Sequence, residues 1–293
     1  MSIAQYGKRR AFFALAAVPL LSVALAACST LGGNLAASSA PESEDAIYAT
    51  SPANIASLTE VVQRNPQDPQ AYNMRGSVFG QAGRYTEALA DFNKAIGIDA
   101  NYAQAYANRG LVYRETGKAD LALIDYNKAL QIDPNYSTAY LGRGMVYRQQ
   151  KKPIPALADF NKAIALRPDN AQAYYNRGLL YQSQHQHNFA IDDFSTAIGL
   201  SIQQAEPYIA RGLSYIAVKN YKNAADDLDN AVTIAPQNVQ AWISRGLAYE
   251  RLGDKQKAAG SYARAMNIDQ ASQAARDGFQ RVGGRVGEAY QTF

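Results

Sequence analysis

One cysteine, one tryptophan and two histidines are all that this chain of 293 residues offers of some of its most chemically distinctive side chains. With Cys28 alone, neither an intrachain disulfide nor a cysteine-rich metal site can form. His185 and His187 stand two apart in "SQHQHN" without a carboxylate pair or a thiol beside them, so a solvated turn is their expected setting. There is no glycine-rich phosphate loop, no nucleophile elbow and no Cys/His pairing, and the serines lack a histidine partner. The sequence therefore predicts no enzyme, no cofactor and no metal. Strong charge is lacking as well. Three of the four net positive charges are Lys8, Arg9 and Arg10, so the remainder is close to neutral and loses the electrostatic basis for binding nucleic acid.

Behind that cationic start runs "AFFALAAVPLLSVALAA", Ala11 to Ala27, without one charge. A basic start, an apolar run and small residues before a break form a secretory signal. As a spanning helix the run is marginal: it would cover roughly 26 Å, with Pro19 in its middle. Leu25, Ala26, Ala27 and Cys28 resemble the bacterial lipobox position by position. That resemblance implies cleavage after residue 27 and diacylation of the Cys28 thiol, an anchor that holds far better than a single acyl chain. Ser29, rather than an aspartate, follows the cysteine. By resemblance to enterobacterial sorting this implies the outer membrane, with the chain facing the periplasm. Residues 28–52 then read as the acylated cysteine and a flexible Gly/Ala/Ser-rich tether, and a coil of about 22 residues has an r.m.s. reach of roughly 25 Å.

Self-similarity organises the rest. Written in blocks of 34, the chain aligns with itself six times without a gap over residues 69–272. With Pro69 as position 1, position 4 is Tyr72, Tyr106, Tyr140, Tyr174, Tyr208 and Trp242, and position 8 is glycine in every block. Position 11 is Phe79 and then five tyrosines, while positions 20 and 27 are always alanine. Pro134, Pro168 and Pro236 stand at position 32. Positions 4, 8 and 11 share one side of a first helix, and 20, 24 and 27 one side of a second. Turn chemistry separates the two, as in "QAGRY" and "QKKPIP". One pair cannot bury its own seam, so pairs must stack.

The template resembles the tetratricopeptide repeat (TPR) family. The resemblance implies an all-α fold: a right-handed α-solenoid of six stacked antiparallel helix pairs with terminal cap helices. The phase extends outward to an N-terminal cap over residues 53–68, its helix ending near Arg64, and to a C-terminal cap and tail over 273–293. The last nine residues carry no pattern and are expected to be disordered. Signal, lipobox, tether and array together resemble Gram-negative TPR lipoproteins that are adaptors for cell-wall endopeptidases and a periplasmic protease. By that resemblance the partners are envelope proteins: peptidoglycan hydrolases or synthases, or a protease. A pilotin for a pilus or secretion secretin, and a structural subunit of an outer-membrane assembly machine, are the alternatives.

Two patterns remain inside the array. Arginine holds position 7 in all six blocks and aspartate position 23 in five, with Ser261 in the sixth, which predicts a ladder of Arg–Asp pairs. Positions 5 and 9 project opposite the seam and turn apolar from the third block onward: Leu141, Met145, Tyr175, Leu179, Ile209, Leu213, Ile243 and Leu247. An apolar stripe without an internal partner marks a partner-binding groove, whereas packing between neighbouring first helices would leave no groove. Arg114 and Arg148, at position 12 of adjacent blocks, are placed to meet an acidic group on a partner. The same groove could take a second copy's tail or cap helix, giving a homodimer.

Overall fold

A computed structural model describes residues 50–285 and 287–290; the signal, Cys28 and the tether as far as residue 49 lie outside the described residues. Among the described residues there are fourteen helices and no strand. Helix α1 (Pro52–Arg64) precedes six pairs. These are α2 (Pro69–Gln81) with α3 (Tyr85–Ile98), α4 (Ala103–Glu115) with α5 (Ala119–Ile132), and α6 (Ser137–Gln149) with α7 (Pro153–Leu166). They continue as α8 (Ala171–Ser183) with α9 (His187–Leu200), α10 (Ala205–Ala217) with α11 (Tyr221–Ile234), and α12 (Val239–Leu252) with α13 (Lys255–Ile268). Helix α14 (Gln273–Arg281) ends the series. The described chain divides at residue 168 into two units, α1–α7 and α8–α14. Within each unit a first helix packs on its own second helix, that second helix on the next first helix, and successive first helices on each other.

Each pair closes by the same local geometry. The N–H at position 16 returns to the carbonyl at position 11, from Arg84 to Phe79 through Asp254 to Tyr249, at 2.8–3.0 Å. This return requires a left-handed residue at position 15. Gly83, Gly117 and Gly253 supply it in three repeats, while Lys151, His185 and Lys219 adopt φ of 56°, 59° and 63° in the other three. A side chain there costs about 1 kcal/mol relative to glycine.

The seam is filled by alanine at positions 20 and 27, fully buried in all six repeats, and by a large side chain at position 24. That side chain lies directly on the glycine at position 8. A Cβ added to Gly178 would stand 2.6 Å from Phe194, whereas one added to Gly110 would stand 3.2 Å from Tyr126. Tyr126 also reaches beyond its own repeat: a Cβ on Gly142, in α6, would come within 2.4 Å of its ring. Tyr262 has the same relation to Gly278 in α14. Where position 24 is phenylalanine or leucine, the corresponding residue is Asn108, Asn176, Ala210 or Ser244 instead. A tyrosine at 24 is thus matched by a glycine on the following first helix.

The Arg–Asp ladder is present and more extensive than the spacing alone suggests. Arg109 donates from Nε and Nη2 to the two oxygens of Asp125, both at 2.7 Å, and its Nη1 donates to Asn93 Oδ1 of the preceding repeat at 2.6 Å. Arg143 repeats this with Asp159 and Asn127, and Arg211 with Asp227 and Ser195. Arg75 and Arg177 clasp Asp91 and Asp193 in the same two-pronged way. Five of the six guanidiniums also lie beside the aromatic rings of both positions 4 and 11, as Arg211 does 5.9 Å from both Tyr208 and Tyr215, and Arg143 lies 5.5 Å from Tyr140. The sixth repeat reverses the arrangement. Arg245, only 2% exposed, takes its carboxylate from Asp229 of the preceding repeat at 2.5 Å, and Ser261 accepts the other bond at 2.7 Å. The acid has moved from sixteen residues after the arginine to sixteen before it.

Gly178→Ala should lower stability by about 1–3 kcal/mol, because the overlap with Phe194 outweighs the helix propensity gained. Gly110→Ala, with more room, should stay within about 1 kcal/mol of the parent in the same thermal melts. Asp229→Asn should cost about 2–3 kcal/mol by stranding the buried Arg245 guanidinium, and Asp229→Asn combined with Ser261→Asp should recover most of it. Failure of the double variant to recover would show that the acid at 229 acts through something other than Arg245.

Candidate protein-binding surface

Positions 5 and 9 lie on α6, α8, α10 and α12 as the spacing requires, but not on an open face. Leu141, Met145, Ile209 and Leu213 are buried, at 5–8% exposure, which corrects the expectation that the stripe is free of internal partners. The physical reason is that successive first helices pack on one another, so this side of one helix meets the next. In the first unit Asn73 of α2 is buried, and its Oδ1 accepts from Asn108 Nδ2 of α4 at 2.8 Å. In the second unit Gln182 of α8 donates to the Ala210 carbonyl and to Ser214 Oγ of α10, each at 2.8 Å. Tyr175, Leu179, Ile243 and Leu247 are half-buried, the first two against Phe194 and Ala210, the others against the core of the second unit. These four are the part of the stripe a partner can still reach.

The arginines differ from expectation too. The Arg114 side chain is 7% exposed; its Nη2 pairs with Glu115 at 2.5 Å and its Nη1 donates to Met145 Sδ at 2.8 Å. It is a packing element between α4 and α6 more than a waiting cation. Arg148 is half-buried on α6 and takes part in the side-chain interactions of its surroundings.

The spacing argument overlooked the residues that do line this side of the first unit. Tyr102 and Tyr136, at position 34, precede the first helices. The Tyr102 hydroxyl donates to Gln104 Oε1 at 3.1 Å and accepts from Asn73 Nδ2 at 3.3 Å. Burial pushes the Tyr136 phenol up to about 12, so it remains a neutral hydrogen-bonding group at any physiological pH. Their signal was an aromatic just ahead of a helix, outside the recurring seam positions.

His185 adopts the left-handed turn conformation and His187 opens α9, with ring centroids 6.1 Å apart. Burial, with the neighbouring His185, holds His187 below the ordinary imidazole value. Among the described residues no group of three or more His, Cys, Asp or Glu is placed to hold a metal.

The C-terminal end departs from the template in a coherent way. In the register of the repeats, Phe279 of α14 takes the place of the ladder arginine, and Ala263 that of its partner on the preceding second helix. Arg281 instead clasps Glu250 with two bonds of 2.9 Å, and the Tyr262 hydroxyl donates to the same carboxylate at 2.7 Å. The tail, expected to be disordered, returns as far as Tyr290, whose ring meets Phe279 edge-on at 5.5 Å. Tail and α13 enclose a cleft of about 390 Å³ with Trp242, Gly260, Ala263 and Arg264 in its walls.

Six helix pairs with a single helix at either end, with a stitched seam and no assembled catalytic group among the described residues, define an α-solenoid of the protein-binding type. The chain is a tetratricopeptide-repeat protein: tetratricopeptide repeat models match residues 103–136, 171–201 and 209–275, and a TPR repeat model matches 76–117 and 155–185. No curated protein matches the chain. Among solved structures, the Cut9–Hcn1 hetero-tetramer of APC/C is similar at a TM-score of 0.70 and 18% identity over 81% of this chain. That match takes in 48% of the other chain, so this protein spans about half its length. PilF of Pseudomonas aeruginosa is similar at 0.67 and 21% identity, over 75% of this chain and 99% of that one. PilW, a widely conserved type IV pilus biogenesis factor, is similar at 0.65 and 17% identity, over 71% and 97%. At these identities the likeness is one of fold.

The C-terminal cap is testable by pH. Burial acts to raise the Glu250 carboxyl, but the bonds from Arg281 and Tyr262 and the nearby arginine charges bring it below its ordinary value. A carboxylate depressed by folding contributes stability that is fully present above its unfolded pKa and lost as pH falls through the folded one. Amide-exchange protection of α14 should therefore hold at neutral pH and fall below about pH 4. Glu250→Gln should lower that protection at neutral pH and flatten the response to acid.

Proposed function

We propose that this chain is a lipid-anchored scaffold of the bacterial envelope, held to the outer membrane through Cys28 and facing the periplasm, whose repeats bind other envelope proteins. The observation that carries the anchor is the sequence "LAAC" behind a charge-free run and a cationic start. The TPR array, a fold that generally binds proteins and does no chemistry itself, supports the scaffold. Its mechanism is proximity: a tether of roughly 25 Å reach holds bound partners near one membrane and raises their effective concentration for each other. Peptidoglycan hydrolases or synthases and an envelope protease are the partners this reading names. The accessible part of the stripe, Tyr175, Leu179, Ile243 and Leu247, is the surface it assigns to them.

A second reading, an assembly factor for a pilus secretin, draws support from the near end-to-end coverage of PilF and PilW. Crosslinking in intact cells separates the two. A photo-reactive residue at Leu179 or Leu247 should capture hydrolases, synthases or a protease, and capture of a secretin would favour the second reading. Ile209, buried, should capture nothing. Silence at Leu179 and Leu247 alongside capture from the second helices would remove the stripe from the binding surface. Mass analysis of the N-terminal peptide tests the anchor separately: it should begin at Cys28 and carry diacylglycerol, and an unmodified thiol there would exclude lipidation.

A further inference from the structure

The turns between first and second helices in the first unit carry an exposed set of side chains that the binding surface does not use. Ile154 is 83% exposed, the most exposed large apolar residue among the described ones, and it stands between Pro153 and Pro155 at the start of α7. Lys151 and Lys152 precede it, both exposed and without an ion pair among the described residues. At the start of α5 the same edge carries Lys118 with Leu121 and Ile124, 43% and 61% exposed. The acids of this edge are Asp120, Glu115 and Glu87, the last two paired with Arg114 and Arg84. Lys94, Lys128 and Lys162 recur at position 26, in the C-terminal half of the second helices and so toward the opposite edge. The opposite edge of this unit carries Asp68, Asp99 and Asp133, with Arg64 and Arg167 as its cations. Among the described residues the turn edge thus carries three lysines outside any ion pair, Lys118, Lys151 and Lys152, beside its exposed apolar side chains, with Asp120 as its acid outside such a pair.

A protruding isoleucine on a proline-framed turn offers no concavity for a protein to fill. Its chemistry suits a surface that is soft, apolar beneath and negative above. We propose that this edge seats on a bilayer containing anionic lipid, with Ile154 and Leu121 entering the headgroup region and Lys118, Lys151 and Lys152 on the lipid phosphates. The proposal builds on the lipid-anchor reading, which brings a bilayer within reach, and it fixes which way the tethered unit faces. Lys151 bears on this directly. It occupies the left-handed position that three other repeats give to glycine, so its side chain is retained at a conformational cost. In the second unit the same position holds His185, Lys219 and Gly253.

The test replaces Ile154 in the full chain by an environment-sensitive fluorescent amino acid and reads its emission. Vesicles of phosphatidylglycerol with phosphatidylethanolamine should shift the emission to the blue, and vesicles of phosphatidylcholine alone should not. Lys151→Gly combined with Lys152→Ser should lower the ratio of seated to free edge on the order of tenfold. That double variant should melt no lower than the parent, since glycine relieves the left-handed lysine and serine is a better N-cap for α7. The emission reports the edge and not attachment of the chain, so the result does not depend on acylation of Cys28. An equal shift on phosphatidylcholine, an undiminished shift in the double variant, or no shift on any vesicle would overturn the assignment. A shift evoked by soluble polyglutamate but not by vesicles would reassign the edge to an acidic protein.

Discussion

The arginine at position 7 is the residue on which the rest of the array depends. A helix pair of this size has too little surface to bury its own seam, so its stability resides in what joins it to its neighbours. A hydrophobic seam alone would accept sliding, because alanine and aromatic surfaces pack in several registers. The guanidinium does not. It has two fixed prongs for the carboxylate sixteen residues on, as in Arg143 with Asp159, and a third donor for the residue sixteen back, Asn127. Three helices are thereby set in one register. The charge is tolerable in a seam because three of its N–H groups are held by side-chain acceptors and aromatic rings flank it. Ten of the twenty tyrosines stand at positions 4 and 11.

The sixth repeat shows which part of that arrangement is essential. Ser261 removes the usual acid, yet Arg245 is the most buried arginine of the series, and Asp229 restores a carboxylate from the other side of the seam. What is kept is one carboxylate for each arginine; which helix supplies it is free. The array also ends by withdrawing both members of the contact at once, with Phe279 in the arginine's place and Ala263 in its partner's. An arginine retained at that point would lack a following second helix to supply its acid. A capping helix in such an array is thus one whose register residue no longer needs a neighbour.

The period, the helix boundaries and the five regular Arg–Asp pairs were legible in the sequence because each arises from a fixed spacing within one repeat. Asp229 was not, since the aligned column showed only an acid missing at 261 and not an acid gained in another column. Positions 5 and 9 were misjudged for a related reason. Projecting a single helix at 100° per residue tells which side faces its own partner helix, but says nothing about the next first helix. Leu141 and Met145 therefore looked exposed while being buried. The glycines at 142 and 278 were visible as letters but had no meaning until the tyrosines at 126 and 262 were seen to need their space.

The burial of the stripe changes what kind of binder this protein can be. A deep apolar groove would give affinity through desolvated anchors. Half-buried Tyr175, Leu179, Ile243 and Leu247 give a shallow surface in which each contact contributes little. Such a surface has one advantage: it is rigid, because the ladder fixes the first helices, so little conformational entropy is lost when a partner settles on it. Weak, pre-ordered contacts suit a scaffold whose partners must arrive and leave, provided that something else supplies concentration. In the proposed reading, the lipid anchor at Cys28 is what supplies it. Confinement to a layer on the order of the tether length makes modest affinities sufficient, and the strain accepted at Lys151 is understandable if orientation on that layer matters as much as affinity.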